Sequence, residues 1–428
     1  MFESLLNAFR APDIRRRILF VLGILIVFRL LAHLPVPGVD KAQLETFFQG
    51  NPLFGLLDLF SGGGLSNFSV VGLGVNPYIN ASIIMQLMTG VIPSLQALSR
   101  EGEYGRNKIN QYTRYLSVPM ALLQSFGFLA LLSNQGVIPS SVGFGLSNPV
   151  TIVQIATLTA GSVALMWLGE LITEKGIGNG VSFIIFAGIV SRAPAALQNF
   201  LQNPDITTFV VFAIIGLAAV TTIIYIQEGQ RRIPIQYASR VRGRRMYQGG
   251  QTFLPLRVNQ AGVIPIIFAV SILLFPQQIA SYFTNSDITI VAEIARGIVT
   301  FFNRTSPAYV TLYFLLTVGF TYFYTAFTFK PDETAEQLRK NGGFIPGIRP
   351  GRPTQDYLAK VVFRITLAGA IFLGAVAVAP AIAGIFFPAI AGVALGGTGL
   401  LIVVSVVVET MKQIEAQLMM RNYEGFIR

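Results

Sequence analysis

The 428-residue chain contains no cysteine and one histidine, His33. Without thiols it forms no disulfide and offers no thiolate for nucleophilic chemistry or zinc binding. A single histidine leaves neither an HExxH pair nor a good Ser–His couple, and its place beside Pro35 and Pro37 suits an interfacial residue. No GxxxxGKS/T phosphate loop occurs, so any nucleotide energy the protein uses comes from a partner. Charge is scarce too: Asp, Glu, Lys and Arg make up 12% of residues against 53% hydrophobic, and the mean hydropathy is +0.61. That balance excludes an ordinary soluble protein and implies a polytopic membrane protein. The longest polar connection runs about thirty residues, too short to bury a core of its own, so residues 1–428 are expected to form a single membrane domain.

What is abundant is apolar sequence in lengths near the roughly 20 residues that cross a bilayer. Ten such stretches lie at about 18–34, 75–92, 115–133, 150–171, 181–200, 208–226, 258–279, 307–329, 361–380 and 393–411. Arg15, Arg16 and Arg17 precede the first, with no small-residue cleavage site after it, which predicts an uncleaved span rather than a signal peptide. Placing the N-terminus in the cytoplasm puts 26 of the 31 Lys and Arg on the cytoplasmic side, leaving Lys41, Arg192, Arg296 and Arg304 outside and Arg29 within the first span. Both termini are therefore expected to be cytoplasmic. Ten spans divide into halves of about 1–205 and 206–412, with a short tail at 413–428, and an odd number per half inverts one relative to the other if they are repeats. The second span is broken around Gly74 and Asn76-Pro77, and the seventh carries Gly262 and Pro265. The fifth opens with GIGNGVSFII and the tenth with GGTGLLIVV. Interrupted segments at matching positions point to a functional path between the halves.

The chain is organised around Phe60 to Pro93, where Gly62, Gly63, Gly64, Gly72 and Gly74 weaken a helix and Pro77 removes a backbone donor. Irregular backbone survives at membrane depth only where other helices shield it or it lines a water-filled path. Past the break, Val75 and Ile79 are one helical turn apart on one face, with Asn76 and Asn80 beside them. Inverted repeats with broken helices also mark secondary transporters, the alternative reading, but those usually carry an ionisable group at the midplane. Here Glu170, Glu228 and Glu409 fall at cytoplasmic ends, Asp58 falls outside, and Arg29 is expected to snorkel or cap a helix. A membrane-insertion scaffold without a through-pore is the other alternative. Two basic loops complete the pattern. One holds Arg231, Arg232, Arg240, Arg242, Arg244, Arg245 and Arg257 against Glu228; the other sets Arg349 and Arg352 in the turn GIRPGRP. Orientation and anionic lipid account for many of these charges, but four arginines between 240 and 245 suit RNA phosphates or an acidic protein surface.

From Arg16 to about Glu424 the chain resembles the bacterial SecY family, the channel-forming subunit of the general secretory translocon. The resemblance is carried, in order, by LPVPGVD, FSGGGL, NPYINASIIMQL, EGEYGRNKINQYTRY, MWLGELITEKGIGNGVSFIIFAGIV, EGQRRIPIQYA with GRRMY, LPLRVNQAGVIP, NGGFIPGIRPGRPT and LLIVVSVVVE. It implies an all-α polytopic membrane protein of ten transmembrane helices, arranged as two inverted five-helix halves with a plug helix, and no enzymatic activity. It implies a pore ring of Val75, Ile79, Val181, Ile185, Ile267 and Ile402, with Val75 and Val181 where isoleucine is common in the family. The plug would span about Leu57 to Val70, including Phe60, Gly62, Gly63, Gly64 and Leu65, and its glycines suggest a segment with few local restraints. A lateral gate between the second and seventh spans would include Gln86 and Asn259, their amides able to bond when it is closed. Arg240, Arg242, Arg244, Arg245 and Arg349 would meet motor or ribosome. The implied partners are the small subunits SecE and SecG, the SecA ATPase, the ribosome, signal peptides, preproteins and anionic lipids, at the bacterial cytoplasmic membrane. No cofactor or metal is implied.

Overall fold

The structure, a computed structural model, describes residues 9–40, 43, 44, 46, 48, 58, 61–134, 136–138, 145, 148–191, 194, 206–237, 240–242, 245–247, 250–284, 288–302, 306–386 and 397–427. Its first half contains helices α1 (Pro12–Ala32), α2 (Asn76–Val91), α3 (Pro93–Ser99), α4 (Glu103–Asn134), α5 (Pro149–Lys175) and α6 (Gly180–Val190). After α7 (Ile206–Glu228) come strands β1 (Gln230–Tyr237), β2 (Arg240–Arg242), β3 (Arg245–Tyr247) and β4 (Gln251–Arg257). Then follow α8 (Ile264–Phe283), α9 (Thr289–Phe301), α10 (Pro307–Thr328), α11 (Pro331–Lys340), β5 (Gly343–Phe344), α12 (Arg352–Phe386) and α13 (Gly397–Ile427).

A helix lies on each of the ten apolar stretches, yet the helices alone do not fix ten crossings. Among the described residues four are long and apolar enough to span a bilayer, Glu103–Ser133, Pro149–Lys175, Pro307–Lys340 and Arg352–Ala379. A fifth arises if Asn76–Val91 and Pro93–Ser99, bent by 102° at their junction, count as one span. The physical reasons differ from helix to helix. Arg15, Arg16, Arg17 and Arg29 interrupt α1, and Glu409, Lys412 and Glu415 enter the second half of α13. Gly180–Val190 is apolar but has only 11 residues. Short spans are tolerated where neighbours cover their ends.

The broken starts of α2 and α8 share one local build. Gly74 and Gly262 take the left-handed φ values of 61° and 65° that a side chain would resist. Val75 and Val263 follow as N-terminal caps with φ, ψ of −91°, 4° and −95°, −9°. Pro77 and Pro265 then occupy the first turn, where a missing N–H sacrifices no helical bond. The four-residue runs GVNP and GVIP thus begin the corresponding helix of each half. The halves meet where α8 packs on α2 and α4, and where α13 packs on α6.

Between α7 and α8 the basic loop is a sheet, which the apolar spacing did not reveal. β1 pairs with β4 antiparallel from Gln230↔Arg257 to Gln236↔Gln251, and β5 joins its other edge through Tyr237↔Gly343. Ile233, Leu256, Ile345, Leu358 and Val362 bury a small cluster beneath it. Neither polar loop could build that core alone; two loops and the start of α12 do so together.

The main core runs through α1, α2, α5, α6, α7, α8, α10, α12 and α13. A second cluster joins Leu65, Phe68 and Leu73 to Phe128, Leu129 and Leu132 of α4 and Leu158 of α5. Leu65 and Phe68 belong to the expected plug, and Leu73 follows it. Instead of a helix, Gly62 to Val75 form successive turns, because Gly62, Gly63 and Gly74 adopt positive φ and end each incipient helical turn. Asp58 and Ser61 are helical; Leu57 and Phe60 lie outside the described residues.

Candidate functional site

All six expected ring residues fall in one apolar cluster. Val75, Ile79, Ile185 and Ile402 are buried members, and Val181 and Ile267 pack against it half-buried. They arrive from four helices and both halves: Val75 and Ile79 from the start of α2, Val181 and Ile185 from α6, Ile267 from α8 and Ile402 from α13. Asn179 fixes the entry to α6 by accepting a hydrogen bond from Ser182 N at 3.2 Å. Three helices supply i, i+4 pairs, Val181 and Ile185 lying on α6; at the starts of α2 and α8 the pair is closed by Ile79 N donating to Val75 O at 3.0 Å and Ile267 N donating to Val263 O at 3.3 Å. Val263, buried in the same cluster, is therefore the counterpart of Val75. Sequence reasoning passed over it, although the repeat of GVNP as GVIP carried the signal.

The plug segment touches this cluster through Val71 and is otherwise tied down at several points. Asp58, 1% exposed, turns its carboxylate back on its own chain. Its Oδ1 accepts from Leu65 N at 3.0 Å, Ser66 N at 2.8 Å and Ser61 Oγ at 3.2 Å. Gly64 O accepts from Ser69 N at 2.8 Å and from Ser69 Oγ at 3.0 Å. Val36 N donates to Phe68 O, and Val70 N donates to Leu34 O, stitching the segment to the loop after α1 around a Pro35↔Ser69 bridge. Small residues let it sit deep: a Cβ on Gly161 of α5 would lie 1.9 Å from Val70 O. The expectation of few restraints is corrected accordingly. Glycine confers the freedom to turn, but the turns then present donors that a buried carboxylate and neighbouring carbonyls hold.

Asp58 is thus buried within the protein, and Arg29 does more than snorkel. Arg29 Nη1 donates to Gly62 O at 2.7 Å and to Ser191 Oγ at 2.9 Å. At the other end of the bundle Arg114 pairs with Glu170 at 2.6 Å and Lys412 with Glu228 at 2.8 Å, consistent with carboxylates at helix ends.

Gln86 on α2 and Asn259 before α8 flank the seam between the halves. Each amide bonds locally, Gln86 Nε2 to Ser82 Oγ at 3.3 Å and Asn259 Nδ2 to Gly262 O at 3.1 Å. Their carbonyl oxygens are buried without a hydrogen-bond partner among the described residues, so no amide–amide bond closes the seam here.

The basic residues are presented by turns. β2 and β3 form a hairpin with Arg240↔Tyr247 and Arg242↔Arg245 in register, while Arg244 lies outside the described residues. Arg349 is exposed between Gly347 and Gly351, whose φ values are 79° and 104°. Buried Ile345 anchors the turn on the sheet, and Thr354 Oγ1 donates to Arg349 O at 2.9 Å.

A model of the SecY family matches residues 69–411. The protein translocase subunit SecY of Streptomyces coelicolor is 44% identical over 441 residues, and that of Mycobacterium tuberculosis 44% over 444, each alignment covering 100% of both chains. Among solved structures, a SecY channel studied for a plug domain that stabilises its closed state superimposes with a TM-score of 0.66 at 18% identity, covering 93% of this chain and 91% of that one. Canine Sec61 from a ribosome–channel complex gives 0.59 at 17% identity, with the same coverage. These structures share the fold; the sequence relatives and the family match over most of the length establish kinship, and the chain belongs to the SecY family.

Proposed function

We propose that this chain is the protein-conducting channel subunit of a bacterial Sec translocon, passing unfolded secretory preproteins across the cytoplasmic membrane and releasing apolar segments sideways into lipid. The observation that carries the reading is the apolar cluster in which Val75, Ile79, Val181, Ile185, Ile267 and Ile402 converge from both halves, with Val71 of the plug segment against it. Branched apolar side chains close around a chain of any sequence, since dispersion and dewetting require no particular hydrogen-bond partner. A charged ring would select among substrates. Polar segments take the axial route, whereas a segment of about twenty apolar residues gains free energy by leaving through the α2–α8 seam.

The channel performs no chemistry of its own, so SecA as ATPase or a translating ribosome supplies the drive. The exposed Arg349 turn and the loop carrying Arg240, Arg242, Arg244 and Arg245 are the contacts assigned to them. The ribosome-bound state of the Sec61 relative supports this assignment. SecE and SecG complete the complex, signal peptides enter at the seam, and anionic lipids face the basic side.

The absence of native cysteine allows a direct test. Ile402→Cys is combined with a stalled preprotein carrying one cysteine in its mature part. A disulfide that requires a functional signal sequence and ATP is expected. If none forms at Ile402→Cys while Gln86→Cys or Asn259→Cys still captures the signal sequence, the chain inserts proteins sideways and the axial pore is misplaced.

A further inference from the structure

Arg29 stands in the last turn of α1, within an apolar span, and its Nη1 carries two N–H groups. One meets Gly62 O at 2.7 Å and the other Ser191 Oγ at 2.9 Å. Ser191 caps α6, and its hydroxyl donates a hydrogen bond to Gly188 O at 2.7 Å. The three elements are in close contact at this point, since a Cβ on Gly62 would lie 2.9 Å from both Gly188 Cα and Phe28 Cζ. Arg29 therefore binds the plug segment and the end of α6 in a single grip.

We propose that Arg29 is a latch, a positioning residue that holds the plug segment in its closed seat by bonding the Gly62 carbonyl and Ser191 together; the proposal rests on the channel reading above. A guanidinium in an apolar span requires acceptors, and withdrawing the plug removes one of them. That loss biases the segment toward its seat. The bond is to backbone, so it holds whatever side chains the plug carries. It is also reversible, because water entering an opened channel re-solvates the guanidinium. α1 and α6 both belong to the first half, so the latch keeps the plug with that half when the seam against α8 loosens.

The test uses the full reconstituted complex and three variants. Arg29→Met removes the cation at similar length. Arg29→Lys keeps the charge but not the two-pronged geometry. Ser191→Ala removes one acceptor and leaves the cation untouched. Two readouts apply: resting ion conductance without preprotein, and labelling of Ser69→Cys, fully buried beneath the plug turns, by an impermeant thiol reagent. Arg29→Met is expected to raise both by roughly ten- to a hundredfold, the range set by one charged hydrogen bond, with Arg29→Lys in between and Ser191→Ala raising both several-fold. Wild-type conductance and labelling in Arg29→Met overturns the latch. Should Arg29→Met not assemble, unchanged values in Ser191→Ala overturn it equally. The Ile402→Cys crosslink in the parent chain reports the channel separately, so a failed latch with an intact crosslink leaves the channel reading standing.

Discussion

Asp58 does for the plug turns what a capping residue does for a helix: it gathers N–H groups that the backbone leaves without acceptors. Asp58→Ala removes the acceptor shared by Leu65 N and Ser66 N. Leu65 N keeps Ser61 Oγ at 3.0 Å, so the half-buried Ser66 N is the donor left open, at a cost of about 1 kcal/mol. Asp58→Asn keeps an amide oxygen at Oδ1 and is expected to lose much less. Hydrogen exchange of the peptide covering residues 61–70 checks this: rates should rise strongly in Asp58→Ala and modestly in Asp58→Asn, and equal rates in both would remove the carboxylate from the seat. Neither Asp58 nor Arg29 was legible at this level from sequence. Hydropathy registers a charge as a penalty and says nothing of its partners, which for Arg29 stand 33 and 162 residues away. That the six residues expected in the ring share one apolar cluster was legible, because Val75 and Ile79 show their common face at a spacing of four and the family motifs point to the rest.

At the level of elements, helices announced themselves and strands did not. A stretch of some twenty apolar residues is a strong local signal, whereas β1 is eight residues long and carries Pro234, which argues against a strand. Its two edges are completed by β4 and by β5, the latter more than one hundred residues further on, so no local window contains the sheet. The amphipathic α9, Thr289–Phe301, fell between the apolar stretches and was missed for the same reason. The sheet matters because it fixes the Arg349 turn: Ile345 is buried in its cluster and Gly347 and Gly351 supply the left-handed corners. An exposed arginine on so rigid a support suits docking more than folding. Arg349→Glu is expected to change stability by no more than about 0.5 kcal/mol. Facing an acidic motor surface it places like charges together, and ATP-driven export from proteoliposomes should fall roughly tenfold or more while complex assembly stays normal. Undiminished export would detach this turn from the motor.

For the molecule as a whole, the proposed seal draws its residues from the first and second halves of the chain. GVNP and GVIP place Val75 and Val263 at equivalent starts of α2 and α8, and Ile402 closes the cluster from α13. Such a seal fails by wetting: an amide among apolar side chains gives water a partner and lowers the barrier to ions. Val75→Asn with Ile402→Asn is therefore expected to raise resting conductance and to admit preproteins with defective signal sequences, without preventing assembly. The halves make a further demand. If the equivalence of their broken helices extends to function, Val263→Asn alone should leak to the same degree as Val75→Asn alone, although 188 residues separate them. Single-channel recording without substrate distinguishes the possibilities. Comparable leaks place the seal in the ring; a leak from Val75→Asn with none from Val263→Asn confines it to the first half, where Val71 and the plug segment pack against α2. Wild-type conductance in the double variant transfers the seal to the plug alone and makes the latch at Arg29 its principal restraint.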